Sequence, residues 1–548
     1  MSSRIEGVVK NASLAEPLAN VAITVLDPSG SSPVQGWTNQ EGKFSMELEG
    51  PVSVLIFELE GYQTKTVDMP LPESGVIRLL ENVLLGYHDQ IYAHPGETVE
   101  AKIHAPAPYR ATLYRHGLQK ETIFSKDFGM STPQRVPDGY FVADGLNWNT
   151  TFEYKIPSTA QPGIYSLLLE AENYESFAIP LAVSTPPGKM EKSHKRLLYL
   201  CSTNNWQTYN IWGGRSRYRN YETDRSADYM KTTGPLAELM ASAAEKLPQG
   251  LVMRAKEVLN MKQNDPEWVF DPLSVKRPHT NCALEDEHPF EAFTNHLAGG
   301  EWRVLAWLER ENFDVDVTTG VELHHHPKML EHYDGIILST HSEYWSADMF
   351  EALKKYHREN GLWIFNVSVN PIYLQVDFEE DGSIRCLSTR FHRTVEDETQ
   401  VIGVRFTESD YGTCAAYQIK DPGHWIFEGL DDQQRKKNFE FGRKSLNHWT
   451  SPKFSRYDPG RPGVASGLTG EGASGWETDK LSGTAPDNFH VVAKGQNHWG
   501  GADMVVREAE GKRGGVFSAS SITFGGSLFC DEVCSRVLKN ALEKALNP

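Results

Sequence analysis

Thr340-His341-Ser342-Glu343-Tyr344-Trp345 gathers an imidazole, a carboxylate and a phenol in one short run. Such groups can relay a proton, or offer nitrogen and oxygen to a cation. A second phenol, Tyr373, closes Ser368-Val369-Asn370-Pro371-Ile372-Tyr373, and a carboxylate, Glu477, ends the Gly-rich approach Gly472-Ala473-Ser474-Gly475-Trp476. Each has a plain reading too: tyrosines commonly pack at pocket walls, and glycines often only let backbone pass closely. Nucleophilic chemistry is disfavoured. Ser368 stands between two valines, without the glycines that a nucleophile elbow needs, and Cys201 lacks them as well. His324-His325-His326 suggests zinc, but consecutive histidines on a loop point apart and Pro327 follows, so a solvated loop is expected.

These groups need a scaffold. Ile336, Ile337 and Leu338 read as a buried strand ahead of the His341 turn, and Ser346 is a predicted helix N-cap before Met349, Phe350 and Leu353. From residue 196 such units alternate: strand RLLYLCST, helix HLAGGEWRVLAWLEREN, strand FDVDVTT, the strand of the opening turn, helix SADMFEALKKYHREN and strand GLWIFNVS. That order predicts a parallel, doubly wound α/β sheet, whose ligands bind at the carboxyl ends of its strands. Consecutive strands are usually neighbours, so Tyr344 and Tyr373 are expected on one rim. The last 160 or so residues are less regular and Gly-rich, ending in strand GGVFSASS and helix CDEVCSRVLKNALEKAL.

Ahead of this unit the pattern is all-β. Residues 1–82 carry short alternating runs (VAITVLD, KFSMELE, VSVLIFELEGY) separated by turn signals such as DPSG and NQEG, a sandwich signature. Their order resembles the carboxypeptidase-regulatory-like (transthyretin-type) domain, with Gly42 supplying a tight turn. Residues 83–186 read as a second sandwich, immunoglobulin-like, and a polar linker runs from 185 to 195 before the α/β unit of 187–548. The 548 residues allow several cores, and a net charge of −19 argues against nucleic acid or an anionic membrane as partner. The opening residues lack a secretion signal, and six cysteines without a CxxC suit reduced thiols, so a cytoplasmic location is expected.

Segments spread over the α/β unit resemble one family, the large (beta) subunit of N,N-dimethylformamidase. They are NNWQTYNIWGGRSRY, HLAGGEWRVLAWLERENFDVDV, THSEYWS, DPGHWIFEG, GASGWETDK and GADMVVRE followed by GGVFSASSITFGGSL. The resemblance implies a class I glutamine-amidotransferase-like fold for this unit and one iron(III) held by two tyrosines and a glutamate. The motif positions fall on Tyr344, Tyr373 and Glu477. Two phenolates and a carboxylate are hard anionic donors suited to a trivalent cation, and their summed charge cancels it. The activity implied is hydrolysis of a small N-substituted amide: the ion polarises the carbonyl, hydroxide from an acidified water attacks, and the amine leaves with a proton. His341, Glu343 and Asn370 are candidates for that proton work, or for orienting the tyrosines. Trp206, Tyr209, Asn210 and Trp212 are expected to line the same mouth for the substrate, or else to pack between domains. The resemblance also implies a small accessory subunit and an oligomer. The alternative is a noncatalytic amidotransferase-like binding or assembly module, carbohydrate-associated in the way two leading sandwiches suggest.

Overall fold

The computed structural model describes residues 2–26, 34–49, 53–190, 196–222, 266–282, 284, 296–387, 391, 395–407, 410, 413–447, 472–497 and 499–547. The alternating runs at the start form two sheets. One has three strands, ordered Lys43–Glu49, Ser2–Asn11, Val76–Leu79; the other has four, ordered Val34–Trp37, Ala22–Leu26, Val54–Glu58, Lys65–Asp68. Alternate side chains of each turn inward, so Ile5, Val9, Phe44 and Ile77 meet Ile23, Val25, Leu55 and Phe57 in one core. Gly42 has a φ of 71°, and a Cβ there would stand 2.5 Å from the Val9 carbonyl oxygen, so only glycine suits that turn.

The second β block pairs a three-stranded sheet (Phe152–Lys155, Thr98–His104, Leu85–His88) with a five-stranded one (Lys120–Phe128, Tyr109–His116, Gly163–Glu170, Phe177–Val183, Tyr92–Ala93). Its core does not stop at the sandwich. Tyr87, Ile103, Leu113 and Leu167 share one apolar cluster with Trp212, Tyr218, Tyr344 and Tyr373. Within the expected linker, Pro187–Met190 makes one helical turn, and residues 191–195 lie outside the described residues.

The largest sheet has nine strands and two halves. Val315–Thr319, Leu197–Cys201, Gly335–His341, Trp363–Val369 and Val516–Ser518 run parallel in that spatial order. Asp503–Arg507, His490–Gly495, Tyr417–Ile419 and Glu440–Phe441 continue it antiparallel. The alternation of strand and helix predicts the parallel half only; the antiparallel extension comes from short runs without helical spacers, which leave no such pattern. Successive residues of the parallel strands face opposite ways. Tyr199, Cys201, Ile337 and Phe365 pack with Trp302, Leu305, Val537 and Leu542 of helices Ala298–Arg310 and Glu532–Leu546. Leu198, Leu200, Ile336 and Ile364 pack with Met349, Phe350 and Leu353 of helix Ala347–Glu359. Each such side chain contributes about 1.5–3 kcal/mol of burial. Ser346 caps that last helix, its hydroxyl accepting from Met349 N at 3.2 Å.

The first strand lies between its two successors, so the chain leaves it towards one side and returns on the other. The segments departing the carboxyl ends of Leu197–Cys201 and Gly335–His341 meet at this switch point, Asn204 Nδ2 donating to the Tyr344 carbonyl at 2.9 Å and Glu343 N to Asn205 Oδ1 at 3.2 Å. No helix among the described residues is long and apolar enough to cross a membrane.

Candidate metal centre at the carboxyl rim

The two tyrosine segments are sewn together by their backbones. The Ile372 N–H donates to the Ser342 carbonyl at 3.0 Å, and those of Tyr373 and Leu374 donate to the Glu343 carbonyl at 2.9 and 3.0 Å. Tyr344 and Trp345 then pair in parallel with Leu374 and Gln375. Tyr344 and Tyr373 thus occupy neighbouring stretches of backbone and one apolar cluster. His341 ties in the third segment: its Nε2 stands 3.5 Å from Glu343 Oε2 and 3.5 Å from Glu477 Oε2. All five side chains are buried, with Tyr344 at 1% and Tyr373 at 8% exposure.

Glu343 is the most heavily engaged group. It accepts the Tyr209 hydroxyl at 2.9 Å on one oxygen and the Tyr218 hydroxyl on the other. The Tyr209 ring lies 5.5 Å from that of His341 and 6.3 Å, edge-on, from that of Tyr344. His296 stacks near Trp476 at 4.6 Å and near His341 at 5.3 Å. These rings make an aromatic wall. Burial pushes the Tyr344 phenol well above its ordinary range, the negative charge of Glu343 adds to this, and Arg217 opposes it. The same causes raise Tyr209, burial first and then Glu343. Both phenols therefore hold their protons more tightly than a free tyrosine does.

At this rim the Tyr344 hydroxyl and Asn370 Oδ1 are among the buried polar atoms that lack a hydrogen-bond partner among the described residues. A buried group left in this way costs about 1–3 kcal/mol. The backbone is strained at the same rim. Thr340, Asn370, Ile372, Trp476 and Ser520 all have positive φ, from 53° to 66°. For the β-branched Thr340 and Ile372 this is an outlier conformation, of order 1–3 kcal/mol each. The Asp479 carboxylate holds the turn at Asn370 by accepting its N–H at 2.9 and 3.1 Å. Burial pushes that carboxyl up to about 8, against the pull of the Asn370 amide.

The Gly-rich approach to Glu477 has a packing explanation. A Cβ on Gly472 would stand 2.3 Å from the Ala415 carbonyl oxygen, and one on Gly475 would stand 2.5 Å from Cys414 Sγ. Both glycines let Ser474–Gly475 pair with Cys414–Ala415, which fixes the strand from which Trp476 and Glu477 emerge.

Of the four expected mouth residues, Tyr209 reaches the cluster. Trp206 donates its indole N–H to Glu301 at 2.8 Å, and Asn210 is bonded to the Pro278 carbonyl at 2.9 Å and to Trp212 N at 3.1 Å. Trp212 packs on Phe141 and Trp148 of the second sandwich, at 5.8 and 6.5 Å. These three build the wall between sandwich and sheet. The triple histidine is not a loop: His324 and His325 end the short helix Gly320–His325, whose Thr319–Glu322 capping box starts it, and His324 Nδ1 bonds Ser346 Oγ at 2.9 Å. Ser368 is an interior strand residue donating to Asn366 Oδ1 at 2.6 Å.

Tyr218, His296 and Asp479 belong to the cluster and are absent from the expected set. Each sits inside a quoted motif segment, and Asp479 follows Glu477 by two residues, so the signal was positional; residue type alone did not separate them from core packing. Among the described residues no group of three or more His, Cys, Asp or Glu side chains is arranged to hold a metal, so an ion held here must draw on other donors. The phenol oxygen of Tyr344, without a hydrogen-bond partner among the described residues, is a hard donor of the kind a trivalent cation takes.

The family described as N,N-dimethylformamidase beta subunit-like, C-terminal, matches residues 110–536. No curated protein matches the chain. Solved structures with some likeness include Escherichia coli alpha-2-macroglobulin, at 12% identity and a TM-score of 0.13, covering 33% of this chain and 12% of that one. A DUF3823 family protein from Bacteroides ovatus follows at 10% identity and 0.13, covering 33% and 99%. The shaft pilin of Lactobacillus rhamnosus GG gives 11% and 0.11, covering 34% and 98%. At such scores none of them bears on fold or function.

Proposed function

The chain belongs to the N,N-dimethylformamidase beta subunit-like family, and on that premise we propose that it hydrolyses a small N-substituted amide at an iron(III) centre held by Tyr344, Tyr373 and Glu477. The observation that carries this reading is the Tyr344 hydroxyl, buried without a hydrogen-bond partner among the described residues, in a segment bonded to that of Tyr373. A bound ferric ion would supply Lewis acidity, polarising an amide carbonyl and acidifying a water. The fit is chemical: two phenolates and a carboxylate balance a triple charge, so the ion and its three ligands together would carry no net charge.

The chain's own residues do the rest. His341, between the carboxylates of Glu343 and Glu477, can take a proton at Nε2 and return it to a departing amine. Glu343, pinned by two phenol donors, keeps that imidazole oriented. Asn370, with its side-chain Oδ1 open, can accept a hydrogen bond from a substrate N–H or from a water O–H. Tyr209, His296 and Trp476 exclude bulk water, which strengthens every charge interaction inside. A glutamine-amidotransferase-like origin for the parallel half, a companion small subunit and an oligomeric assembly belong to the same proposal; the family's description as a beta subunit supports the last two.

The test is direct. Protein loaded with iron(III) should show a visible phenolate-to-iron charge-transfer band and turn over short N-alkyl amides, and Tyr344→Phe should lose both. Full turnover by an iron-free, colourless preparation would reject the centre. Loaded protein that hydrolyses no amide in such a screen would reject the activity and favour a binding module.

A further inference from the structure

Connections between strands ordinarily run over the surface. The loop Asn11–Leu18 of the first sandwich does not: Asn11, Ala12, Ser13, Leu14 and Ala15 are all buried. Asn11 Oδ1 sets its shape by accepting from Leu14 N at 2.9 Å and Glu16 N at 3.0 Å. What covers it is the hairpin 213–222. The Gly213 N–H donates to the Ser13 carbonyl at 2.7 Å. Gly214 has a φ of 88°, and a Cβ there would stand 2.6 Å from that of Ala15.

The far end of the hairpin is held by charge. Glu222 pairs with the guanidinium of Arg78 and with Lys10 Nζ at 2.9 Å. Arg78 is 1% exposed, and its Nε also donates to the Gly139 carbonyl at 2.5 Å. Between these anchors the hairpin closes on itself, Tyr221 N donating to the Gly214 carbonyl at 2.8 Å and Ser216 N to the Arg219 carbonyl at 2.9 Å. At its tip Tyr218 donates its hydroxyl to Glu343. The first sandwich lies wholly before residue 110, where the family match begins, yet one hairpin links it to the carboxylate beside Tyr344.

We propose that the first sandwich is a positioning module for this centre, its Asn11–Leu18 loop and Arg78 fixing the hairpin so that Tyr218 holds Glu343 beside Tyr344. Arg78 is then a positioning residue acting through Glu222 and Tyr218. That the held carboxylate serves amide hydrolysis rests on the function proposed above; that it is held from the first sandwich does not.

Hydrogen exchange and amide turnover on the full chain separate the two. Arg78→Met should speed exchange of the Arg217 and Glu343 amides by about tenfold or more, while that of Ile337 in the parallel strand stays unchanged. Arg78→Lys, which keeps the charge, should restore most of the protection. In a Tyr218→Phe background, Arg78→Met should add no further loss of turnover, because the link is already cut. If Arg78→Met does not fold, Glu222→Gln cuts the same anchor from its more exposed side and carries the same expectation. Unchanged exchange at Glu343, or losses that simply add, would overturn the positioning role. Should no amide be turned over at all, the exchange result still decides it, and the function alone fails.

Discussion

His341 Nε2 lies 3.5 Å from Glu477 Oε2, which joins the turn after a central parallel strand to a loop far along the chain. Neither segment has a partner nearby in sequence that would bring them together. The contact depends on two strained turns, at Thr340 and Trp476, and on the glycines that seat the second.

Tyr344→Phe removes a hydroxyl that bonds nothing among the described residues. Without metal, the variant should be as stable as the parent or up to about 1 kcal/mol more so, since an unsatisfied buried group disappears. Denaturant unfolding of both metal-free proteins checks this; a clear loss of stability would show that the hydroxyl was already in use.

Tyr209→Phe withdraws one of the two phenol donors described on Glu343. A hydrogen bond to a buried carboxylate is worth about 1.5–3 kcal/mol, and a loss of that size is expected. Turnover should fall with it while KM changes little, because the group acts on the proton-carrying pair more than on the substrate.

Gly475→Ala forces a methyl to within 2.5 Å of Cys414 Sγ and 2.7 Å of its Cα. Overpacking of this kind costs about 1–3 kcal/mol. Because Glu477 is two residues on, iron(III) should also bind more weakly, read from the titration of the charge-transfer band. Undiminished binding would count against Glu477 as a ligand.

Stability should fall as pH rises. Burial raises the carboxyl of Glu301 to about 8 and that of Glu322 to about 7, from 4.5. Between the unfolded and folded values the native state binds more protons, so their contribution is complete below about pH 4.5 and is lost on passing through 7 to 8. Each group adds a slope of at most about 1.4 kcal/mol per pH unit in that window. Glu301→Gln should flatten the decline, and denaturation midpoints at a series of pH values measure it. A midpoint that rises from mildly acid to mildly alkaline pH in the parent would contradict the assignment.

Much of this protein could be read in one dimension. Period-two runs fixed two β blocks, because a half-buried strand must alternate. Alternating apolar strands and amphipathic helices fixed the parallel half of the large sheet and the rim on which Tyr344 and Tyr373 sit, since a strand's carboxyl end is set by its direction. Residue type also marked His341, Glu343 and Tyr344 as unusual company for a turn. The tertiary structure alone decided which of them touch. Tyr218 and Trp212 lie in one short segment of similar composition, yet the first bonds Glu343 and the second packs on Phe141 and Trp148. Nothing local separates them, because the choice is made by the sandwiches that close over the hairpin, at separations no periodicity reports. The same holds for the open hydroxyl of Tyr344: a phenol becomes a candidate ligand only when every neighbour that might have satisfied it points elsewhere.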